Sequence, residues 1–561
     1  MTADYYDLGN YSRPVTTAAP GAQLWFDRGL VWTYAFNHEE AVRCFERALE
    51  HDPGCAMAYW GIAYASGPNY NKPWDFFDEK ELADTVERTH AAAQRAVALA
   101  AGAAPVERAL IGALAARYPS STPEGDAAVW NLGYTEAMRA VYREFPDDLD
   151  VAALFADALM NLTPWGLWVP DDGGDSHALV AGANTQEAGA ALDAVLATAA
   201  GHTHPGALHL YLHLMEMSPT PEAALTVADR LRGLVPDAGH LEHMPSHLYV
   251  LCGDYRAVVA ANASAYRADE KYVRAAGAIN FYTLYRAHNL HFEIYGAMFL
   301  GQSETALAAV GRLEDAIPEE LLLVQSPPMA DWLEGFLAMR VHVLIRFGRW
   351  ERLLDLPLPT DPDLYCVTTA MLHYSKGIAY AATGDLPAAL DQQRHLRAAT
   401  ARVPATRTLF NNTCLDLLGI AAAMLEGELR YREGDYDSAF RALRRSVELD
   451  DGLPYDEPWG WMQPTRHAYG ALLLEQDRVA EAEAVYRADL GLDDTLPRAC
   501  QHPGNVWSLH GYHECLTRLG KSGEARIIGR QLQLAAAVAD IPIGASCFCR
   551  TAGPAEPCCP A

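Results

Sequence analysis

Seven turn signals recur in order along this chain: Gly253-Asp254-Tyr255, Gly301-Gln302-Ser303, Gly348-Arg349-Trp350, Gly384-Asp385-Leu386, Gly434-Asp435-Tyr436, Gln476-Asp477-Arg478 and Gly520-Lys521-Ser522, at steps of 36 to 50 residues. Between them the apolar residues return with a period of 3.6, and almost no window alternates with a period of two. Such a Gly ends one helix in a left-handed cap, which Gly adopts cheaply, and the next helix opens within a few residues. A helix pair cannot bury its apolar stripe alone, so successive pairs must stack. The 561 residues therefore predict one repeating body rather than three or four compact globules.

Half of the residues are hydrophobic, enough for a continuous core, and 42 Gly and 33 Pro are near average, which removes collagen-like and linker readings. The steps compare with about 34 residues for a tetratricopeptide repeat. The fold class expected is all-α, a tetratricopeptide-like helical-repeat solenoid with longer connections, its concave face lined by the first helix of each pair. Three segments break the pattern: 160–186, 451–465 and everything from Ile541. With a soft break at 350–365, where LPLPTDPD interrupts two helical stretches, the expected organisation is 1–360, 361–540 and a tail of 541–561.

The charge excludes some partners. Forty-three basic against 72 acidic residues leave a net charge of −29, which repels phosphate backbones and anionic lipid, so neither nucleic acid nor membrane is expected. The start lacks a positive n-region and an apolar core, and no apolar run is long enough to span a bilayer, so the expected location is cytoplasmic. Of eleven Cys, seven are scattered singly and read as small core hydrophobes, while Cys547, Cys549, Cys558 and Cys559 crowd the end.

Nine of the 20 His fall within 202–291. His209, His213 and Glu216 are spaced i, i+4, i+7 and share one helix face; His288 and His291 are i, i+3 on a later helix. Pro245 suits the first turn of a helix that carries His247, with His240 and His243 in its approach loop. The helices expected at 205–217, 245–252 and 279–300 alternate with two others, so in a stack their His faces meet on one wall. His209, His213, Glu216, His240, His243, His247, His288 and His291 are the candidate metal ligands. The bland alternative is a set of hydrogen-bonded core histidines. His202 and His204, beside Gly, Thr and Pro, read as loop residues. Trp60, Asn69, Asn71, Trp165 and Trp168 read as packing or turn residues and as secondary candidates for the border of a pocket.

The tail adds soft ligands. Cys547, Cys549, Cys558 and Cys559 as thiols suit Cu(I) or zinc, against a loose end or a redox disulfide. Copper is therefore the favoured metal, with zinc or iron as alternatives.

The blocks WGIAYASGPNYN (60–71), MNLTPWGLW (160–168), HPGALHLYLHLMEMSP (204–219), GHLEHMPSHLYVLCGDY (239–255), HNLHFEIYGAMFLGQ (288–302), HPGNVWSLHGYHECLTRLG (502–520) and ASCFCR (545–550) resemble a family of tetratricopeptide-repeat proteins of bacteria and fungi. The resemblance implies a helical-repeat fold and a shared role for His209, His213, His240, His243, His247, His288 and His291; it implies no reaction. Two functions follow as expectations. One is a metal-dependent enzyme, a copper-type oxidoreductase acting on a small molecule. The other is a scaffold whose groove binds a peptide or protein partner, with structural histidines. A wall of His, with Tyr211, Tyr249, Tyr295, Met215 and Met244, favours the enzyme over a peptide groove lined with Asn, Arg and Lys.

Overall fold

A computed structural model describes residues 5–168, 180, 182–493 and 495–550. The described chain is helical almost throughout; its strands are Thr408–Leu409 and Asn412–Thr413, paired antiparallel. The all-α helical-repeat expectation holds. The turns work as their chemistry requires. The helix Cys366–Thr383 ends at Gly384 (φ 90°), and the Asp385 carboxylate accepts the backbone N–H of Ala388 to start Leu386–Thr400. In the one turn of the series without Gly, Asp477 takes the left-handed conformation instead (φ 58°).

Packing between pairs follows a rule of its own. A Cβ at Gly29 would lie 2.6 Å from the Phe45 ring, and one at Gly470 2.5 Å from the Tyr486 ring; Leu443 fills the same space beside Gly427. In all three the large side chain follows the Gly by sixteen positions. The first helix of a pair is thus notched where the second inserts its bulk, and the close approach excludes water from both faces. Gly61 and Gly511, on the helices that follow, admit the same Phe45 and Tyr486 rings.

The chain divides into two compact units. The described residues of the first lie within Met1–Pro170, Asp175–Leu248 and Ser264–Gly277, and those of the second within Tyr249–Ala263 and Ala278–Ala561. The break read at 350–365 is a connection from Trp350–Leu354 to Cys366–Thr383 inside the second unit. The Pro/Trp-rich crossing stands, running from the end of Tyr436–Asp451 to the start of Thr465–Glu475.

The tail breaks the helical period as expected; its residues 541–550 are docked along the second unit, so the loose-end alternative does not describe them. The Ser546 hydroxyl donates to the His467 carbonyl (2.9 Å), Arg346 donates to the Ser546 carbonyl, and Phe548 packs on Gly348 and Trp507. Arg550 closes the segment with an ion pair to Glu514 (2.7 Å). Long-range polar contacts replace the periodic stripe that a sequence pattern can register.

Candidate metal centre

In the first unit the helix Pro205–Glu216 begins at His204, whose Nδ1 accepts the backbone N–H of Ala207 (3.1 Å). His204 is therefore a cap, and its Nε2 lies 3.3 Å from Asp150. Gly206 brings this helix against Tyr34, whose ring fills the space a side chain would need. That approach sets the Tyr34 carbonyl 2.6 Å from His209 Nδ1. One turn on, His213 Nδ1 is 2.9 Å from Glu216 Oε1, and the second oxygen of Glu216 is 2.8 Å from His247 Nδ1.

GHLEH is not an approach loop. Gly239–His243 is a helical turn that runs straight into Pro245–Leu251. The small Gly239 lets it close on Asp269, where a Cβ would collide. The consequence is that His240, His243 and His247 point inward together. His240 Nε2 faces His209 Nε2 at 3.1 Å, and His243 Nε2 faces His247 Nε2 at 2.8 Å. Ligand atoms of His209, His213 and His240 lie within 4.8 Å of one another. All five imidazoles and Glu216 are essentially inaccessible.

The tautomers follow from the donors and acceptors. A carbonyl or carboxylate accepts only, so Nδ1 of His209 and of His213 carries the hydrogen and Nε2 presents a lone pair. His213 Nε2 is buried with no hydrogen-bond partner among the described residues. Burial first, and neighbouring imidazoles second, hold His209, His213 and His240 well below the usual His range, so they are neutral at pH 7. Neutral rings, fixed tautomers and converging lone pairs are what a transition metal at about 2.0–2.1 Å from each nitrogen requires. The candidate donor set is all imidazole, with the Glu216 carboxylate beside Nδ1 atoms, where it would orient the rings from behind.

Aromatic rings close the site. Phe36 lies 4.5 Å from His209, 5.8 Å from His213 and 5.5 Å from His240, while Tyr70 and Trp165 stand 4.9 and 5.9 Å from His213. Phe36 and Trp165 hold left-handed backbone (φ 53° and 56°). A bulky residue there costs energy, and here the strained turns aim both rings at the same imidazoles. A third, Phe410 (φ 48°), puts its ring 4.5 Å from His288 in the second unit. Of the remaining candidates, Trp168 donates to the Leu214 carbonyl (2.7 Å), Trp60 stacks on Tyr64, and Asn69 forms its turn by accepting the backbone N–H of Asn71 and Lys72. Asn71 is the third residue of that turn.

In the second unit, His288 and His291 lie on the helix Thr283–Leu300. His291 Nε2 faces the sulfur of Met462 at 2.7 Å. Cys547 and Cys549 are bonded to each other, so as a disulfide they offer no thiolate; Cys558 and Cys559 lie outside the described residues. Cys44, Cys55, Cys366, Cys414, Cys500 and Cys515 are buried, and burial pushes the Cys44 and Cys515 thiols up to about 12.

Sequence reasoning missed Phe36, Tyr70, His38 and Met462. His38 is half-buried beside Asn69, and desolvation first, with Arg117 and Lys72 behind it, lowers it to about 4. Its only sequence signal was a place in the turn after Asn37, which caps His38–His51.

Residues 22–55 match the model of a tetratricopeptide repeat and cover all but the first two residues of the first helix pair, Pro20–Tyr34 and His38–His51. Among solved structures, yeast Tom70 is 11% identical over 92% of this chain and 98% of that one, with a TM-score of 0.27. A monomeric IFIT1 mutant with Gppp-AAAA is 10% identical over 93% and 91%, TM-score 0.30. The APC/C hetero-tetramer Cut9-Hcn1 is 10% identical over 92% and 95%, TM-score 0.28. Superpositions this loose place no residue, and the repeat reading rests on the helix pairs and the matched segment. No curated protein matches the chain at a significant level. No helix among the described residues is long and apolar enough to cross a membrane.

Proposed function

We propose that this protein is a helical-repeat scaffold whose first unit holds a transition-metal ion on His209, His213 and His240, with His243 and His247 beside them. The observation that carries the reading is the pair of opposed Nε2 atoms, His209 to His240 at 3.1 Å, beside the buried, partnerless Nε2 of His213. Two facing imidazole nitrogens share one hydrogen at best, and a third lone pair aimed at the same space has no hydrogen to accept. A metal ion satisfies all three. The all-imidazole set suits zinc, copper or iron alike. Glu216 and the Tyr34 carbonyl act as orienting groups.

The tetratricopeptide match supports the scaffold half of the expectation, and no match points to an oxidoreductase. A peptide or protein partner is accordingly the favoured ligand of the array, ahead of a small-molecule substrate. Metal analysis of protein reconstituted with Zn2+ tests the centre. The double variant His209→Ala/His213→Ala should lose the ion; full retention would reduce the cluster to packing. A peptide array probed with the wild type and the double variant tests the partner. A defined motif bound by both makes the groove independent of the metal, and no motif bound by either returns the reading to a small molecule.

A further inference from the structure

The second unit contains a donor set that the histidine spacing did not reveal. His291 faces Met462 sulfur at 2.7 Å, closer than an N–H···S hydrogen bond ordinarily brings the two. A thioether accepts weakly and donates nothing, so this contact cannot satisfy a buried imidazole. The opposite nitrogen, His291 Nδ1, has no hydrogen-bond partner either. His342, on the helix Met339–Arg346, is in the same condition at its Nδ1, and so is the indole nitrogen of Trp461, whose ring lies 4.8 Å from His342. His342 is held against the same stretch of chain that carries Met462: the next residue, Gln463, donates its side-chain amide to the His342 carbonyl (3.2 Å). The surroundings are dry: Met462 and His291 are at most 1% exposed, His342 3%, and the Phe336 ring packs 5.3 Å from His291.

We propose that the second unit carries a soft-metal site built from His291, His342 and Met462, which takes one Cu(I) ion. The chemistry selects the ion. Two neutral imidazoles and a thioether carry no charge, so a dication here would be buried without compensation, whereas a monocation of low coordination number loses least on desolvation. Zinc prefers four ligands and gains little from a thioether. The Pro/Trp-rich crossing between Tyr436–Asp451 and Thr465–Glu475 acquires a purpose: it delivers Met462 to His291 across 171 positions of sequence. This site shares no residue with the first-unit centre and stands or falls independently of it.

The test loads selenomethionine-substituted full-length protein with Cu(I) under ascorbate, in competition with bicinchoninate, and reads the copper and selenium X-ray absorption edges. One of the 13 methionines should show copper as a neighbour of its selenium. Met462→Leu, close in volume, should remove that signal, weaken Cu(I) binding by about tenfold or more, and leave Zn2+ binding by the first unit unchanged. His209→Ala/His213→Ala should keep the copper–selenium signal. Selenium without a copper neighbour in the wild-type sequence overturns the proposal whether or not the Leu variant folds. Unchanged Cu(I) affinity in a folded Met462→Leu protein overturns it as well.

Discussion

Replacing Glu216 by Gln tests the part of the proposed metal centre that would not touch the ion. One oxygen accepts from His213 Nδ1 (2.9 Å) and the other lies 2.8 Å from His247 Nδ1. A glutamine keeps one accepting oxygen and turns an NH2 toward the other ring. The ring facing that NH2 must present a lone pair at Nδ1, so its hydrogen moves to Nε2 and that nitrogen can no longer bind a metal. One imidazole ligand is misassigned without any change of shape. Losing an orienting carboxylate costs about 10–100-fold in metal affinity, equivalent to about 1.4–2.7 kcal/mol. Because the substitution preserves volume, the metal-free protein should melt within about 3 °C of the wild type. Competition against a chromophoric chelator, with metal-free melting curves alongside, gives both numbers. An affinity within twofold of the wild type refutes the tautomer argument, and a metal-free protein that no longer folds makes Glu216 a structural residue.

Further outcomes follow from other parts of the chain. Gly29→Ala, with its new methyl 2.6 Å from Phe45, should destabilise by about 1–3 kcal/mol, and Phe45→Leu in the same chain should recover part of it; chemical denaturation of the four variants checks this. Gly384→Ala meets open space but keeps φ 90°, so it should cost about 1–2 kcal/mol through backbone strain alone. Asp150 is buried, which alone would raise it. His204, Arg13 and the Tyr11 hydroxyl outweigh burial and hold its carboxyl far below the usual range. Its stabilisation is then present above the unfolded Asp value of about 3.9 and is lost as pH falls below it. Asp150→Asn should remove about 3 kcal/mol at pH 7 and flatten the acid limb of the stability curve; an acid limb of unchanged steepness contradicts this. Ser546→Ala, which frees the docked tail from His467 and Tyr486, should lower the melting temperature and leave first-unit metal content unchanged.

The elements that the sequence by itself determined are those set by neighbours along the chain. Gly384 with Asp385 ends one helix and caps the next, and Asn37 caps His38–His51, because each effect acts within four residues. The face shared by His209, His213 and Glu216 was legible for the same reason: helix geometry alone puts i, i+4 and i+7 in line. GHLEH was misread as a loop because five residues before a Pro carry too little period to declare a helix, and only packing on Asp269 makes it one.

What gives those residues chemical meaning came from tertiary structure alone. His209 acquires its tautomer from Tyr34, 175 positions away, and His291 meets Met462 across 171. Phe36 and Trp165 reach the imidazoles through left-handed turns that neither residue prefers. The tail's Ser546 docks on His467 and Tyr486 with no apolar stripe to announce it. None of these contacts repeats with a helical period. Each depends on where two distant helices come to rest, and that is settled by the summed burial of the whole array rather than by any local preference.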